Sequence, residues 1–338
     1  MGSYALQGAY FPIESDIDTV ERQLPSTSKG KDMQAIVTTG DNDLTLAELG
    51  VPVPGPQEVR IAVDAAAVNP VDVQTRRGIY HQLGWIDRSR VVGLGWDVAG
   101  RIDAVGDGVG TWSPGTYVVA LHDGLDSPTA AYAGYVVVPE SAIAAAPTST
   151  DAVGAATLPL NALTAMQALD MLGEPDGRTL LVTGAAGGVG GFALPLAARR
   201  GWAVSGLARG EDEEFVRASG ALFVSTTPPA RTFDAVFDTA ALGAQALDAI
   251  RDGGRYVGVI PSSGPPAVRG VEVTAVVVHH DGEGLAELVR LVDEGMLAVR
   301  TAGTFPLEKA LDAHAAFERG GTRGRWVLTV SENARSIP

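Results

Sequence analysis

A chain of 338 residues exceeds what one compact core usually organises, so two domains are expected, and 46% apolar residues suffice to fill them. The absence of cysteine excludes disulfides and every thiolate metal site. Against 25 Lys and Arg stand 40 Asp and Glu, a formal net charge of −15 that argues against a nucleic-acid backbone as partner.

Residues 1–32 mix Ser, Asp, Thr and Lys without periodicity and are expected to form an extension outside the main fold. They lack a basic start before a greasy stretch, and the longest apolar runs stop short of the roughly 20 residues of a membrane span, so a cytoplasmic location is expected. From residue 33 onward short β-rich stretches follow, at 33–38, 59–63, 100–105 and 117–120. Pro54-Gly55, Gly106-Asp107-Gly108 and Pro114-Gly115 punctuate them, which predicts an all-β region forming a distorted barrel. Near Leu158 the pattern changes. A strand at 179–183 runs through a glycine cluster into a helix ending at Arg200, then come a strand at 203–207 and a helix at 211–219. A strand at 234–238, a helix at 241–251 and a strand at 255–260 continue the series. Such alternation predicts a parallel sheet with helices on both faces. Leu285, Leu288, Val289 and Val292 form one stripe of a helix over 284–294, which reads as core packing. The tail supplies a strand, a helix at 307–318 and a final strand at 325–330. The expected organisation is a discontinuous β domain, 33–157 and 297–338, around an α/β unit at 158–296.

The strongest chemical signal lies between the strand at 179–183 and the helix after it: Gly184, Gly187, Gly188, Val189, Gly190 and Gly191. Glycine lets the backbone turn sharply and lets a pyrophosphate approach the helix N-terminus, where free N–H groups and the helix dipole favour an anion. The flanking strands and helix make this context much more specific than a glycine triplet alone. An NAD site usually carries Asp or Glu at the tip of the second strand to bind the ribose 2′-hydroxyl. Here residues 205–209 end on Arg209, which suits a 2′-phosphate, so NADPH is the expected cofactor. The acidic run 211–214 reads as a helix start, although one of its members could repel that phosphate.

Several motifs in order resemble the medium-chain dehydrogenase/reductase family, in its zinc-free, zeta-crystallin-like quinone oxidoreductase branch. They are the segment 57–64, Asn69-Pro70 with Asp72, Arg77-Gly78 with Tyr80, Gly93 to Gly100, and Gly106 to Gly110. Leu163-Thr164-Ala165, the glycine turn, the segment 234–238 and Gly324 to Leu328 follow. The resemblance covers about 33–330 and implies an α/β fold: a Rossmann dinucleotide-binding domain plus a discontinuous GroES-like β-barrel catalytic domain, usually a homodimer. It places Asn69 beside the nicotinamide and ribose, Thr164 at the carboxamide and Arg325 near the pyrophosphate. Asp238, Thr239 and Ile260 would complete the cofactor contacts; Tyr80 is a candidate proton donor, and Trp85, His122 and Tyr132 are pocket candidates. Gln74 stands where many relatives have tyrosine, which puts the quinone-specific pocket in doubt.

Zinc-dependent relatives carry a cysteine at the place of Asn69 or its neighbours and a Gly-His-Glu motif at Gly95-Trp96-Asp97, so metal-free chemistry is expected. His81, His122, His279, His280 and His314 show no i, i+4 pairing, and adjacent His279 and His280 near a strand end should point to opposite faces. Without a Lewis acid, hydride addition to the β-carbon of an enone or quinone is easier than simple carbonyl reduction, because the charge spreads as an enolate that hydrogen-bond donors stabilise. Asp72 and Asp97 read as structural carboxylates that bond backbone N–H groups. A pathway enoyl reductase, a non-redox cyclase on the same fold, and an NADPH-binding sensor without turnover remain as alternatives.

Overall fold

The computed structural model describes residues 31–224, 227–261 and 263–335. Most of the expected N-terminal extension lies outside these residues, though its last member, Asp32, already opens the first strand. The first half comprises β1 (Asp32–Thr38), β2 (Thr45–Gly50), β3 (Glu58–Ala67), α1 (Pro70–Arg76), α2 (Ile79–Gln82) and β4 (Val92–Gly93). It continues through β5 (Asp97–Val105), β6 (Tyr117–Leu121), β7 (Tyr135–Pro139) and β8 (Ile143–Ala145) to α3 (Ala152–Ala155) and α4 (Pro159–Leu172). The region is therefore not all-β: Pro70 at the first helical position and Asp72 bonding back to the Asn69 amide start a helix that the strand pattern concealed.

The α/β part contains β9 (Thr179–Thr183), α5 (Gly188–Arg200), β10 (Ala203–Leu207), α6 (Glu213–Ala218), β11 (Leu222–Val224) and β12 (Phe233–Asp238). After α7 (Ala244–Asp248) come β13 (Ile250–Gly258), β14 (Glu272–Ala275) and α8 (Gly282–Asp293), then β15 (Thr301–Pro306), α9 (Ala310–Arg319) and β16 (Arg325–Thr329). Strands β9 to β14 form one parallel six-stranded sheet in the order β11-β10-β9-β12-β13-β14. The order reverses at β9, so ligands are expected beyond its C-terminal end. A seven-stranded sheet, β15-β16-β3-β5-β6-β8 with β7 on β3, combines strands from both ends of the chain. The expected helix at 241–251 is corrected: it stops at Asp248, and Ile250 pairs with Phe233. Between the Phe233–Ile250 and Ala235–Arg255 pairs the register shifts, and this irregularity takes up residues that a helical pattern alone cannot place.

Strand β3 shows how the two parts join. Val59, Ile61 and Val63 are buried while the residues between them are partly exposed, as a one-sided sheet requires. Ala65, Ala66 and Ala67 are all buried, because α3 and α4 cover the second face and pack Ala155, Leu158 and Leu163 into a core with Ala65 and Ala67. The helical stretch Ala152–Leu172 is long and apolar enough to match a membrane span, contrary to the expectation from apolar runs, yet it is mostly buried inside the fold. On α8 the predicted stripe, joined by Leu291, faces the core, and Asp281 caps the helix by accepting from the Gly284 amide at 2.9 Å. Such a cap contributes about 1 kcal/mol.

Candidate active site

The turn after β9 has the form an anion requires. Gly184 has φ +56°, and a Cβ on Gly190 would stand 2.3 Å from the Gly184 carbonyl oxygen, so the chain closes too tightly for any side chain. Helix α5 begins at Gly188 with no side-chain cap at Gly187, leaving the amides of Gly188, Val189 and Gly190 without intrahelical acceptors. Two guanidinium groups reach this turn from strand ends of the other sheet. Arg325 lies over Gly188, where an added Cβ would meet its Nη2 at 2.2 Å. Arg300 donates to the Ala186 and Gly187 carbonyls at 2.9 and 2.7 Å. The Nε of Arg325 is buried and has no hydrogen-bond partner. Burial, with Arg325 and Arg323 nearby, pushes the Arg300 guanidinium down to about 10 despite Asp212. Free amides and crowded, under-neutralised cations fit a dinucleotide pyrophosphate.

A buried polar chain leads from this turn into the barrel. Arg325 Nη2 donates to Asn161 Oδ1, and Asn161 Nδ2 donates to Asn69 Oδ1 at 3.2 Å. Asn69 Nδ2 in turn donates to Asp97 Oδ2 at 2.6 Å, while Asp97 Oδ1 accepts from the Leu160 amide at the start of α4, also at 2.6 Å. Asp72 accepts from the amides of Asn69 and Gly95 at 2.8 and 3.0 Å. Both carboxylates thus bond backbone N–H groups, as the sequence expectation has it. Burial pushes each up to about 7, although the amide donors, and for Asp97 also Arg325, favour the charged forms. Asn69 is held at both ends of its amide, so its orientation is determined by the fold.

The structure brings Arg325 to Gly188 in the turn of Gly184, Gly187, Gly188, Val189 and Gly190, and Asn161, which also borders Gly188, links Asn69 to it. Thr164 spends its hydroxyl proton on the Leu160 carbonyl at 2.6 Å, keeping its oxygen as an acceptor. Asp238 is fully buried and accepts from Thr183 Oγ1, the Leu242 and Gly243 amides and Tyr256 Oη, so it ties β9, β12 and β13 together. Those four donors make it a strut between the strands that end at the glycine turn. Thr239 donates to the Thr183 carbonyl at 2.6 Å and borders Gly184, and Ile260 follows the end of β13.

The pocket candidates do not converge. Tyr80 donates to Gln74 Oε1 at 2.8 Å and stacks on Trp85, which is 46% exposed. Burial and nearby Asp72 push the Tyr80 hydroxyl up to about 12, making it a weaker acid than ordinary tyrosine. Tyr132 is corrected from pocket to core: it is fully buried, with its hydroxyl 3.4 Å from the Ala67 carbonyl and its ring edge-on to His314. His122 alone borders a cavity, of about 300 Å³, beside Asp123 and Ser127. His279 and His280 do not diverge. They lie in the loop after β14, where both imidazoles approach Asp123, at 3.9 and 3.0 Å.

Arg209 at the tip of β10 is exposed and 3.6 Å from Glu211, while Arg323 pairs with Asp212 at 3.0 Å. Two of the acidic residues that threatened a phosphate are thus matched by arginines. Sequence reasoning missed Asn161, Arg300 and Arg323; Asn161 stands within the apolar α4, and the arginines read as ordinary surface charge. An asparagine at a fully buried helix position was the one available signal.

Residues 55–148 match the alcohol dehydrogenase GroES-like domain, and residues 212–328 match the model described as zinc-binding dehydrogenase. A 2-methylene-furan-3-one reductase of Solanum lycopersicum is 31% identical over 306 residues, covering 86% of this chain and 76% of that protein. The chloroplastic NADPH-dependent alkenal/one oxidoreductase of Arabidopsis thaliana is 31% identical over 316 residues, covering 88% and 80%. Among solved structures, the quinone oxidoreductase from Coxiella burnetii superposes with a TM-score of 0.76 at 28% identity, over 89% of this chain and 100% of that one.

Proposed function

The chain belongs to the medium-chain dehydrogenase/reductase family, and from that premise we propose that it is an NADPH-dependent oxidoreductase of enones or quinones. The observation that carries this reading is the continuous path from the glycine turn through Arg325 and Asn161 to the doubly anchored Asn69. NADPH would supply a hydride from its nicotinamide, and relatives are named for alkenal/one and quinone oxidoreduction.

The protein's own residues prepare that step. The amides of Gly188 to Gly190, with Arg300 and Arg325, would hold the pyrophosphate, while Asn69 and Thr164 would orient the nicotinamide half. The buried Asp97 and Asp72 act at one remove: they fix Asn69 and the start of α4. A reaction without zinc is supported by Asn69 and Trp96 at the places where zinc-dependent relatives have soft ligands, and by the lack of cysteine. A homodimer is supported by β14, an edge strand followed by the exposed Val277.

The test is consumption of NADPH, followed by its absorbance, with an enone and a quinone as acceptors. A protein that binds NADPH tightly and consumes it with neither acceptor is a binding protein, and the proposal fails. For the cofactor, Arg209→Ala is expected to weaken NADPH binding about tenfold, the loss of one charge-assisted bond, while NADH binding changes less than about threefold. Equal losses for the two nucleotides would remove Arg209 from the 2′-phosphate site.

A further inference from the structure

Reduction of an enone needs a proton as well as a hydride, and neither tyrosine near Asn69 is well placed to give it. Tyr80 donates to Gln74 with its acidity weakened, and Tyr132 is sealed in the core. A different pair of side chains has the parts for proton transfer. His280 lies in the loop leaving the C-terminal end of β14, on the side of the parallel sheet where the nicotinamide half of a dinucleotide is expected. Its Nδ1 is 3.0 Å from both oxygens of Asp123, and its backbone amide donates to the same carboxylate at 2.9 Å. Asp123 stands two residues past β6, whose Leu121 pairs with Asp97, and the intervening His122 donates its amide to the Trp96 carbonyl at 2.8 Å. The loop is further pinned by Gln167, which exchanges two hydrogen bonds with the His279 backbone at 2.8 and 3.1 Å.

Resting on the reductase reading above, we propose that His280, oriented by Asp123, is the proton donor to the reduced substrate. With Nδ1–H donating to the carboxylate, the imidazolium form is the donor: it carries the transferable proton on Nε2 and becomes the neutral ring once that proton is given up. Burial raises the Asp123 carboxyl, but the bonds from His280 outweigh it and hold the group below its ordinary range, as an ion-pair partner should be. Hydride addition forms the C–H bond at the β-carbon and moves the C=C electron pair into an enolate. The enolate α-carbon then takes the Nε2 proton, the N–H electron pair stays on the ring, and solvent reprotonates the imidazole.

The experiment compares wild type, His280→Gln and Asp123→Asn with cyclohex-2-enone or its 2-methyl derivative, and with p-benzoquinone. For the enone, kcat is expected to fall about a hundredfold in His280→Gln, the usual contribution of a general acid. The quinone rate should fall much less, because water can protonate the hydroquinone oxygens. In heavy water the wild type should place deuterium on one face of the α-carbon of 2-methylcyclohex-2-enone, and the variants on both. In nucleotide-free protein, the ring signal of His280 should shift in NMR spectra when cyclohex-2-enone is added. If the variants keep one-face deuteration and the enone rate, or the ring signal does not respond to the enone, the assignment of His280 is overturned while the reductase reading stands. If wild type reduces neither acceptor, it is the reductase reading that has failed.

Discussion

Gly190→Val is expected to lower NADPH affinity by about a hundredfold. A Cβ at this position meets two backbone atoms, the Gly184 carbonyl oxygen at 2.3 Å and Ala185 Cα at 2.9 Å, and backbone cannot swing aside as a side chain does. Overpacking of this kind costs about 1–3 kcal/mol before the pyrophosphate is considered. The displacement also moves the amides of Gly188 and Val189 away from the anion, and each further 1.4 kcal/mol is another factor of ten. Gly210→Ala is the control, because nothing lies within 4 Å of an added Cβ there; its effect should stay below about threefold. Calorimetric titration of folded protein decides the matter. Undiminished affinity in Gly190→Val would mean that the dinucleotide does not sit on this turn.

Asp97→Ala is expected to destabilise the fold by about 3–5 kcal/mol, the cost of breaking a buried charged network. The carboxylate accepts from the Leu160 amide and from Asn69 Nδ2, and both donors would be left buried and unpaired. Asn69 would also lose the bond that sets its orientation, so kcat should fall even in molecules that remain folded. Asp97→Asn keeps an oxygen for one donor but turns an NH2 group toward another donor, and should cost less than alanine. Burial holds Asp97 and Asp72 up at about 7, so folding disfavours their charged forms. The stability of wild type relative to Asp97→Asn should therefore be greatest below the ordinary carboxylate range, about pH 4, and decline as pH rises through 7. Denaturant unfolding across that window measures it. A difference that does not change with pH would show that Asp97 stays ionised throughout.

Another buried group titrates in the opposite sense. His314 is fully buried beneath Tyr132 with neither ring nitrogen bonded, and burial with nearby Arg76 pushes it down to about 3. It is neutral in the folded protein, so its contribution is present above its ordinary value of about 6.5 and is lost as pH falls through 3. The Asp97→Asn comparison cancels this term because His314 is present in both proteins.

How much of the site could be read from the chain depended on distance along it. The glycine turn was legible because strand, turn and helix are contiguous, and a missing Cβ has the same consequence in any fold. Helix α8 was legible for a similar reason, since Leu285, Leu288 and Val292 recur at helical spacing and bury together. The helix expected at 241–251 was misplaced because Ile250 answers to Phe233 on a neighbouring strand, a demand no local pattern contains. His279 and His280, expected near a strand end with side chains apart, lie in a loop that lets both reach Asp123, over 150 positions earlier in the chain.

The amino-acid sequence by itself determined the α/β alternation, the phosphate-binding turn, the absence of thiolate ligands and the missing ribose carboxylate. Each of these follows from residues a few positions apart, through backbone sterics, side-chain period or plain composition. Tertiary structure alone decided that Arg300 joins Arg325 at the turn, that Asn161 links Arg325 to Asn69, and that Tyr132 is core. Those contacts join segments separated by scores of residues, and only the pairing of β3 with β16 and the packing of α4 against both sheets bring them within reach.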